Sequence, residues 1–332
     1  MVKISLAAAA VLLALGFPLL FSGPFPLHVA IVTLIFAGLG VAWNIMGGYA
    51  GMFSFGTAAF FGIGAYTSTW LSTAHGVNPW LGLLAGGAAS ALVAAAIGWP
   101  CSNLRGHYFA IASIAFAEIV RTHFNNWKLV GAAEGLMIPI RDGGLRVFQF
   151  NQSKAPYYFI ALAFLALALL ACRAISRSRM GYYFRAIKES HELAMVLGIS
   201  FVRYRLAAIM IAAFIAAACG TLYAQYVLYI DPESVLILSV SVQVVLVTML
   251  GGAGSLFGPV IGAAVLVPLS EITRAQLGAR GTGVDMILYG ALITLISVYQ
   301  PKGIWGFFAG GLPRRKRPAP QPRLEPSSPG VA

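Results

Sequence analysis

Arg173-Ala-Ile-Ser-Arg177-Ser-Arg179, then Arg185-Ala-Ile-Lys188-Glu189, then Glu192-Leu-Ala194-Met-Val-Leu-Gly198: here a chain of apolar runs breaks off and turns charged. Good helix formers (Ala, Leu, Met, Glu, Lys, Arg) fill the break, and Gly198 supplies a stop. The apolar sequence resumes at Arg205. A compact charged helix between two greasy segments is a handle for something outside the bilayer.

The segments on either side set the fold class. The chain has 332 residues, of which 59% are hydrophobic and 10% charged; soluble domains carry about 25% charged residues. About 20 apolar residues at ~1.5 Å rise span a hydrocarbon core of ~30 Å. Candidate spans fall at 4–21, 27–46, 56–73, 80–100, 107–125, 156–174, 205–228, 233–250, 258–273 and 284–300. The reading is an all-α polytopic membrane protein with about 10 transmembrane helices, 9 to 10. The Gly-rich eighth and ninth candidates are short and allow a half-span reading.

Basic residues accumulate on the cytoplasmic side of membrane proteins. With both termini inside, 15 of the 22 Lys and Arg lie on inner loops and tails: Lys3, Arg105, seven in 173–205 and six after Pro301. Only three of the ten acidic residues share that side, so the net charge of +12 resides wholly inside. The charge is topogenic and calls for no nucleic-acid partner. Residues 1–26 form an N-terminal span with a signal-like composition, read as retained. Residues 27–311 form the transmembrane domain, with the cytoplasmic loop 173–205 inside it. Residues 312–332 are a basic, Pro-rich cytoplasmic tail of disordered composition, suited to anionic headgroups. Cys101, Cys172 and Cys219 lie in or at the inner ends of spans and imply no disulfide framework.

Two stretches echo each other: Met46-Gly47-Gly48-Tyr-Ala-Gly51-Met-Phe-Ser54-Phe-Gly56 and Leu250-Gly251-Gly252-Ala-Gly254-Ser255-Leu-Phe-Gly258. Both fall between an inward-going and an outward-going span, which makes an internal parallel repeat one reading. A chance echo between Gly/Ala-rich helices is the other. Broken backbone at membrane depth must be buried in protein or line a wet cavity. Asn44, Gly47, Gly48, Gly51, Ser54, Thr57, Gly251, Gly252, Gly254 and Ser255 are therefore candidates for a translocation pathway, against tight packing through small residues. Glu118 and Arg121, and again Glu271 and Arg274, sit three apart on predicted helices toward the outer side and are expected to pair inside the membrane as structural ion pairs, with a gate or docking role as the alternative.

No Gly-x-x-x-x-Gly-Lys-Ser/Thr phosphate loop occurs, no Gly-x-Ser-x-Gly elbow, and no span carries a run of carboxylates suited to a proton relay. No His/Cys/carboxylate cluster has metal-ligand spacing. Nothing in the sequence supports catalysis or a cofactor of its own, and if the chain takes part in active transport the energy must come from another subunit.

Glu192-x-Ala194-x-x-x-Gly198 matches the core of the coupling-loop motif of ABC importer permeases. Further matches are Trp43-Asn44-Ile-Met-Gly-Gly48-Tyr-Ala-Gly51, Ser54-Phe-Gly56 to Tyr66, Leu104-Arg105-Gly106, Phe116-Ala-Glu118-Ile-Val-Arg121, Arg179-Met-Gly181, Phe184-Arg185-Ala186-Ile187 and Gly251 to Gly262. Over roughly 27–310 the chain resembles the branched-chain amino acid ABC transporter permeases, the LivM-like subunit in particular. His107 departs from the apolar residue expected after Arg105-Gly106.

The resemblance implies a multi-pass subunit of the bacterial inner membrane. Its partners would be a second homologous permease, two ATP-binding subunits that hydrolyse the ATP, and an extracytoplasmic binding protein. Arg185, Glu192, Ala194 and Gly198 would couple the pore to the ATPase. The cargo would be a branched-chain amino acid. Closely similar permeases carry urea or short amides, so that cargo remains open; a secondary carrier needing no ATPase is the reading from another class.

Overall fold

The computed structural model describes residues 15–18, 21, 23–102, 104, 106–140, 144, 148–150, 153–277, 290–291 and 303–308. Most of the expected spans at 4–21 and 284–300, the tail 312–332, and Arg105 lie outside the described residues.

Helix α1 runs Pro24–Trp43 and continues as one π turn, Asn44–Tyr49. Pro24 opens it, where a missing N–H is no loss. Then follow α2 (Thr57–Ala74), α3 (Pro79–Cys101), α4 (His107–Asn126), the two-residue strand β1 (Leu136–Met137) and α5 (Ala155–Arg177). Two short helices fill the charged break: α6 (Arg179–Glu189) and α7 (His191–Val196). The chain resumes with α8 (Phe201–Val227), β2 (Tyr229–Ile230), the single turn α9 (Pro232–Val235), α10 (Leu238–Gly251), α11 (Gly258–Leu277) and α12 (Trp305–Phe308). Among the described residues five stretches have the length and apolarity to cross a membrane: Pro24–Tyr49, Pro79–Cys101, Ala155–Arg177, Phe201–Val227 and Pro232–Gly251.

The eighth candidate, α9 with α10, therefore has crossing length. Helix α11 has 20 residues, about 30 Å at 1.5 Å per residue.

Helix α8 is the central strut, packed against α1, α2 and α3. Its apolar residues point all round, as a buried membrane helix requires. Small residues let it approach: a side chain at Gly220 would strike the Phe61 carbonyl, and one at Gly64 would strike the Ala217 backbone. Between lipid-solvated helices such close contact is the main source of association. Polar side chains bridge the same seams, with Thr221 Oγ1 donating to Gly64 O (3.2 Å) and Ser90 Oγ to Ala213 O (3.3 Å).

The bundle has two ends. The loop end carries 47–56, 101–102, 104, 106, 173–205, 251–258 and 303–308; the hairpin end carries 75–78, 127–140, 148–150, 153–154 and 228–237. The segment 126–155 is expected to be an ordered loop or short hairpin. In the structure its strand β1 pairs with β2, beyond α8, in antiparallel register Leu136↔Ile230. An isolated bridge, Gly144↔Gln149, closes the segment locally. Phe148 seals it, edge-on to Trp80 at 4.7 Å. Cys101, Cys172 and Cys219 are all unbridged.

Candidate functional site

The loop end is where the structure gathers most of the candidate residues. Helix α1 finishes there in its π turn, a feature that often marks functional positions. Asn44, on that turn, is fully buried. Its Oδ1 accepts from Gly254 N–H (2.7 Å) and its Nδ2 donates to Ser255 O (2.8 Å). One amide thus clasps the turn between α10 and α11 to the end of α1. The two echoing glycine stretches lie face to face.

The closeness has a steric cause. A Cβ at Gly48 would lie 2.6 Å from Gly254 N and collide with the Asn44 side chain. Ser255 Oγ donates to Gly252 O (2.7 Å) and accepts from Gly258 N–H (3.0 Å), so it both shapes its turn and caps the start of α11. The turn 50–56 is fixed from three sides. Trp43 Nε1 donates to Ser54 O (2.8 Å), Ser113 Oγ of α4 accepts from Phe55 N–H (2.8 Å), and Ser241 Oγ of α10 accepts from Ala58 N–H (2.8 Å). The last of these satisfies an orphan donor at the start of α2.

Of the pathway candidates, Asn44, Gly47, Gly48, Ser54, Thr57, Gly251 and Gly252 are buried, Gly254 and Ser255 half-buried, and Gly51 exposed. Beside the first turn lies a cavity of ≈ 30 Å³ lined by Ser54, Phe60, Cys101, Phe109, Ser113 and Phe116 among others. That is room for about one or two water molecules.

The cytoplasmic break packs onto the same place. Phe184, fully buried, anchors α6 in the bundle. Arg185 donates through Nη2 to Ser176 O (2.6 Å) and lies over the Tyr49 ring at 5.8 Å, so it orients α6 against α5 and the π turn. Arg205, buried at the start of α8, donates to the carbonyls of Ser102 and of Leu104 (2.9 Å) and stacks over Phe109 and Phe201. It ties the α3–α4 turn to α8.

In α7 the motif residues divide. Ala194 is 1% exposed and faces the bundle. Gly198 has φ +73° and closes the helix, with its N–H on Met195 O and the Ile199 N–H on Ala194 O. Glu192 is exposed, and so is the apolar run Met195 (50%), Val196 (84%) and Leu197 (74%). The motif thus shapes a protruding greasy knob, whose own residues carry no distinguishing signal in the sequence because they look like any helix interior.

Toward the hairpin end, Arg121 pairs with Glu118 and also with Glu233 of α9. Glu118 and Glu233 are about half exposed. Glu118 lies eight residues before the end of α4, about 12 Å at 1.5 Å per residue. Glu271 lies 3.7 Å from Arg274 and 3.8 Å from His28 Nε2 of α1. Glu233 and His28 are partners that sequence spacing does not reveal. Among the described residues no group of three or more His, Cys, Asp or Glu could hold a metal ion.

Comparison with known proteins places this geometry. The family model for the branched-chain amino acid transport system / permease component matches residues 25–297. The high-affinity branched-chain amino acid transport system permease protein LivM of Escherichia coli K12 is 30% identical over 318 residues, 89% of this chain and 73% of that protein. LivM of Salmonella typhimurium LT2 is 30% identical over 298 residues, 83% of this chain and 69% of that protein. The Escherichia coli K12 permease protein LivH is 26% identical over 288 residues, 82% of this chain and 91% of that protein.

Proposed function

The chain belongs to the family of branched-chain amino acid transport system permease components, and from that premise we propose that it is a LivM-like subunit importing branched-chain amino acids on ATP hydrolysed by partner subunits. The observation that carries the coupling part is the exposed knob Met195-Val196-Leu197 beside Glu192, on a helix built into the bundle through buried Ala194. Apolar side chains at 84% and 74% exposure at a helix end suit a groove on another protein.

The loop end then faces the cytoplasm of the bacterial inner membrane. Two ATP-binding subunits grip α7, a second, homologous permease completes the pathway, and an extracytoplasmic binding protein meets the hairpin end. Asn44, Gly47, Gly48, Gly51, Ser54 and Thr57 with Gly251, Gly252, Gly254 and Ser255 form the inner closure of that pathway. Nucleotide binding works on a two-state bundle through its differential affinity for the two states. Arg185, Glu192, Ala194 and Gly198 hold and shape the handle it moves.

The test is ATP-dependent uptake of labelled leucine, with urea alongside, in vesicles carrying the chain with its partner subunits and binding protein. Leucine uptake that stops when the ATPase is disabled is the expected result. Urea uptake alone would change the cargo, and uptake of either without ATP would overturn the importer reading. In the same vesicles Gly198→Pro, incompatible with φ +73°, is expected to abolish uptake while the subunit still inserts.

A further inference from the structure

Lys188 takes no part in the coupling motif, and its side chain leaves α6 for the end of α1. Its Nζ donates to Gly48 O at 2.8 Å, across 140 residues of sequence. The acceptor is a carbonyl in the π turn that ends α1, one of the acceptors a helix terminus leaves without a partner. A cation there also answers the negative end of the helix dipole.

The approach is built in from both sides. Gly51 has φ +71°, and a Cβ there would lie 2.9 Å from Lys188 Cγ and 3.2 Å from its Cβ. Only glycine both turns the chain there and leaves a channel for the lysine stem. Gly48, which offers the carbonyl, is the residue against which Gly254 packs and over which Asn44 closes its clasp. A Cβ at Gly254 would sit 3.8 Å from the same Nζ. Lys188, Gly48, Asn44 and the pair Gly254–Ser255 form one connected chain of contacts from α6 through α1 to the α10–α11 turn.

We propose that Lys188 is the positioning residue that carries displacement of the cytoplasmic helices into the joined glycine turns, so that coupling enters the bundle at the α1 and α10–α11 ends. A route through α8 alone would leave this bond without mechanical consequence. The inference rests on the importer reading above. It adds that α6, through one ammonium on a main-chain carbonyl, moves the closure while α7 holds the ATPase.

Lys188→Met keeps the stem that packs over Gly51 and removes the ammonium. Lys188→Arg keeps a donor, and Asn44→Asp keeps shape while losing the donor to Ser255 O. Each is measured in the complete importer in proteoliposomes, as solute accumulated per ATP hydrolysed at equal amounts of assembled complex. We expect Lys188→Met to lower that ratio roughly five- to tenfold, the low end of ordinary inter-site coupling, while ATP hydrolysis continues. Lys188→Arg should recover most of it, and Lys188→Met combined with Asn44→Asp should be no worse than the more damaging single change. A wild-type ratio in Lys188→Met, or independent multiplication of the two defects, would overturn the proposal. If the unmutated importer showed no ATP-dependent uptake, the fault would lie with the importer reading itself.

Discussion

The two ends of the bundle are held by different chemistry. At the loop end, charged and amide side chains reach main-chain groups: Lys188 the Gly48 carbonyl, Arg205 the carbonyls of Ser102 and Leu104, and Asn44 the Gly254 N–H and the Ser255 carbonyl. At the hairpin end, charged side chains pair with other side chains that stay half in contact with the surroundings, as in Glu118–Arg121–Glu233. Backbone acceptors cannot move without moving the helix that bears them. An exposed ion pair can break and re-form at little cost, since its net worth is about 0–1 kcal/mol. This contrast is what the proposed coupling requires, with displacement passed on at the loop end and tolerated at the hairpin end.

Substitutions sharpen the contrast. Arg205→Leu should do the most damage, because it leaves two carbonyls and a stacked site with nothing to replace the guanidinium. A loss of about 3 kcal/mol is expected, from hydrogen bonds to a charged group plus unsatisfied acceptors, read as a lowered unfolding midpoint of the purified subunit in detergent. Asn44→Ala opens the clasp and strands one N–H and one C=O, for a loss of about 2 kcal/mol on the same measurement. Ala194→Leu forces a larger side chain into a buried position at a cost of about 1–3 kcal/mol, and displaces the knob; co-purification with the ATP-binding subunit should fall. Glu233→Gln sits at the other extreme. One half-exposed pairing disappears, and the midpoint should shift by less than about 1 kcal/mol, with most of that small effect erased by high salt. A hairpin-end change as costly as Arg205→Leu would break the comparison.

Much of the fold was legible because membrane helices announce themselves by length and apolarity. The spans around α1, α3, α5 and α8 follow directly from residue type. The charged break was legible for the opposite reason: a run like Arg173 to Gly198 has no place in lipid. The family resemblance also followed from residues alone, and the match over residues 25–297 agrees with it.

What sequence could not supply is which distant groups meet. Nothing local ties Lys188 to Gly48 or Arg121 to Glu233, since neither pair shares a helix. Nor does spacing separate the exposed Val196 and Leu197 from buried Ala194, because burial there depends on how α7 leans on α6 and α8. The glycines were conspicuous, but not the reason for each: Gly48 makes room for the second turn, whereas Gly51 makes room for a lysine stem.

On the importer reading, ATP-driven work enters the bundle at the loop end. Hydrogen exchange of the assembled importer, with and without bound nucleotide and without the binding protein, tests it most directly. Altered protection is expected in 44–56, 179–198 and 251–258, with the strand pair at 136–137 and 229–230 changed least. Unaltered exchange in 179–198 and 44–56, with the change confined to the hairpin end, would contradict it.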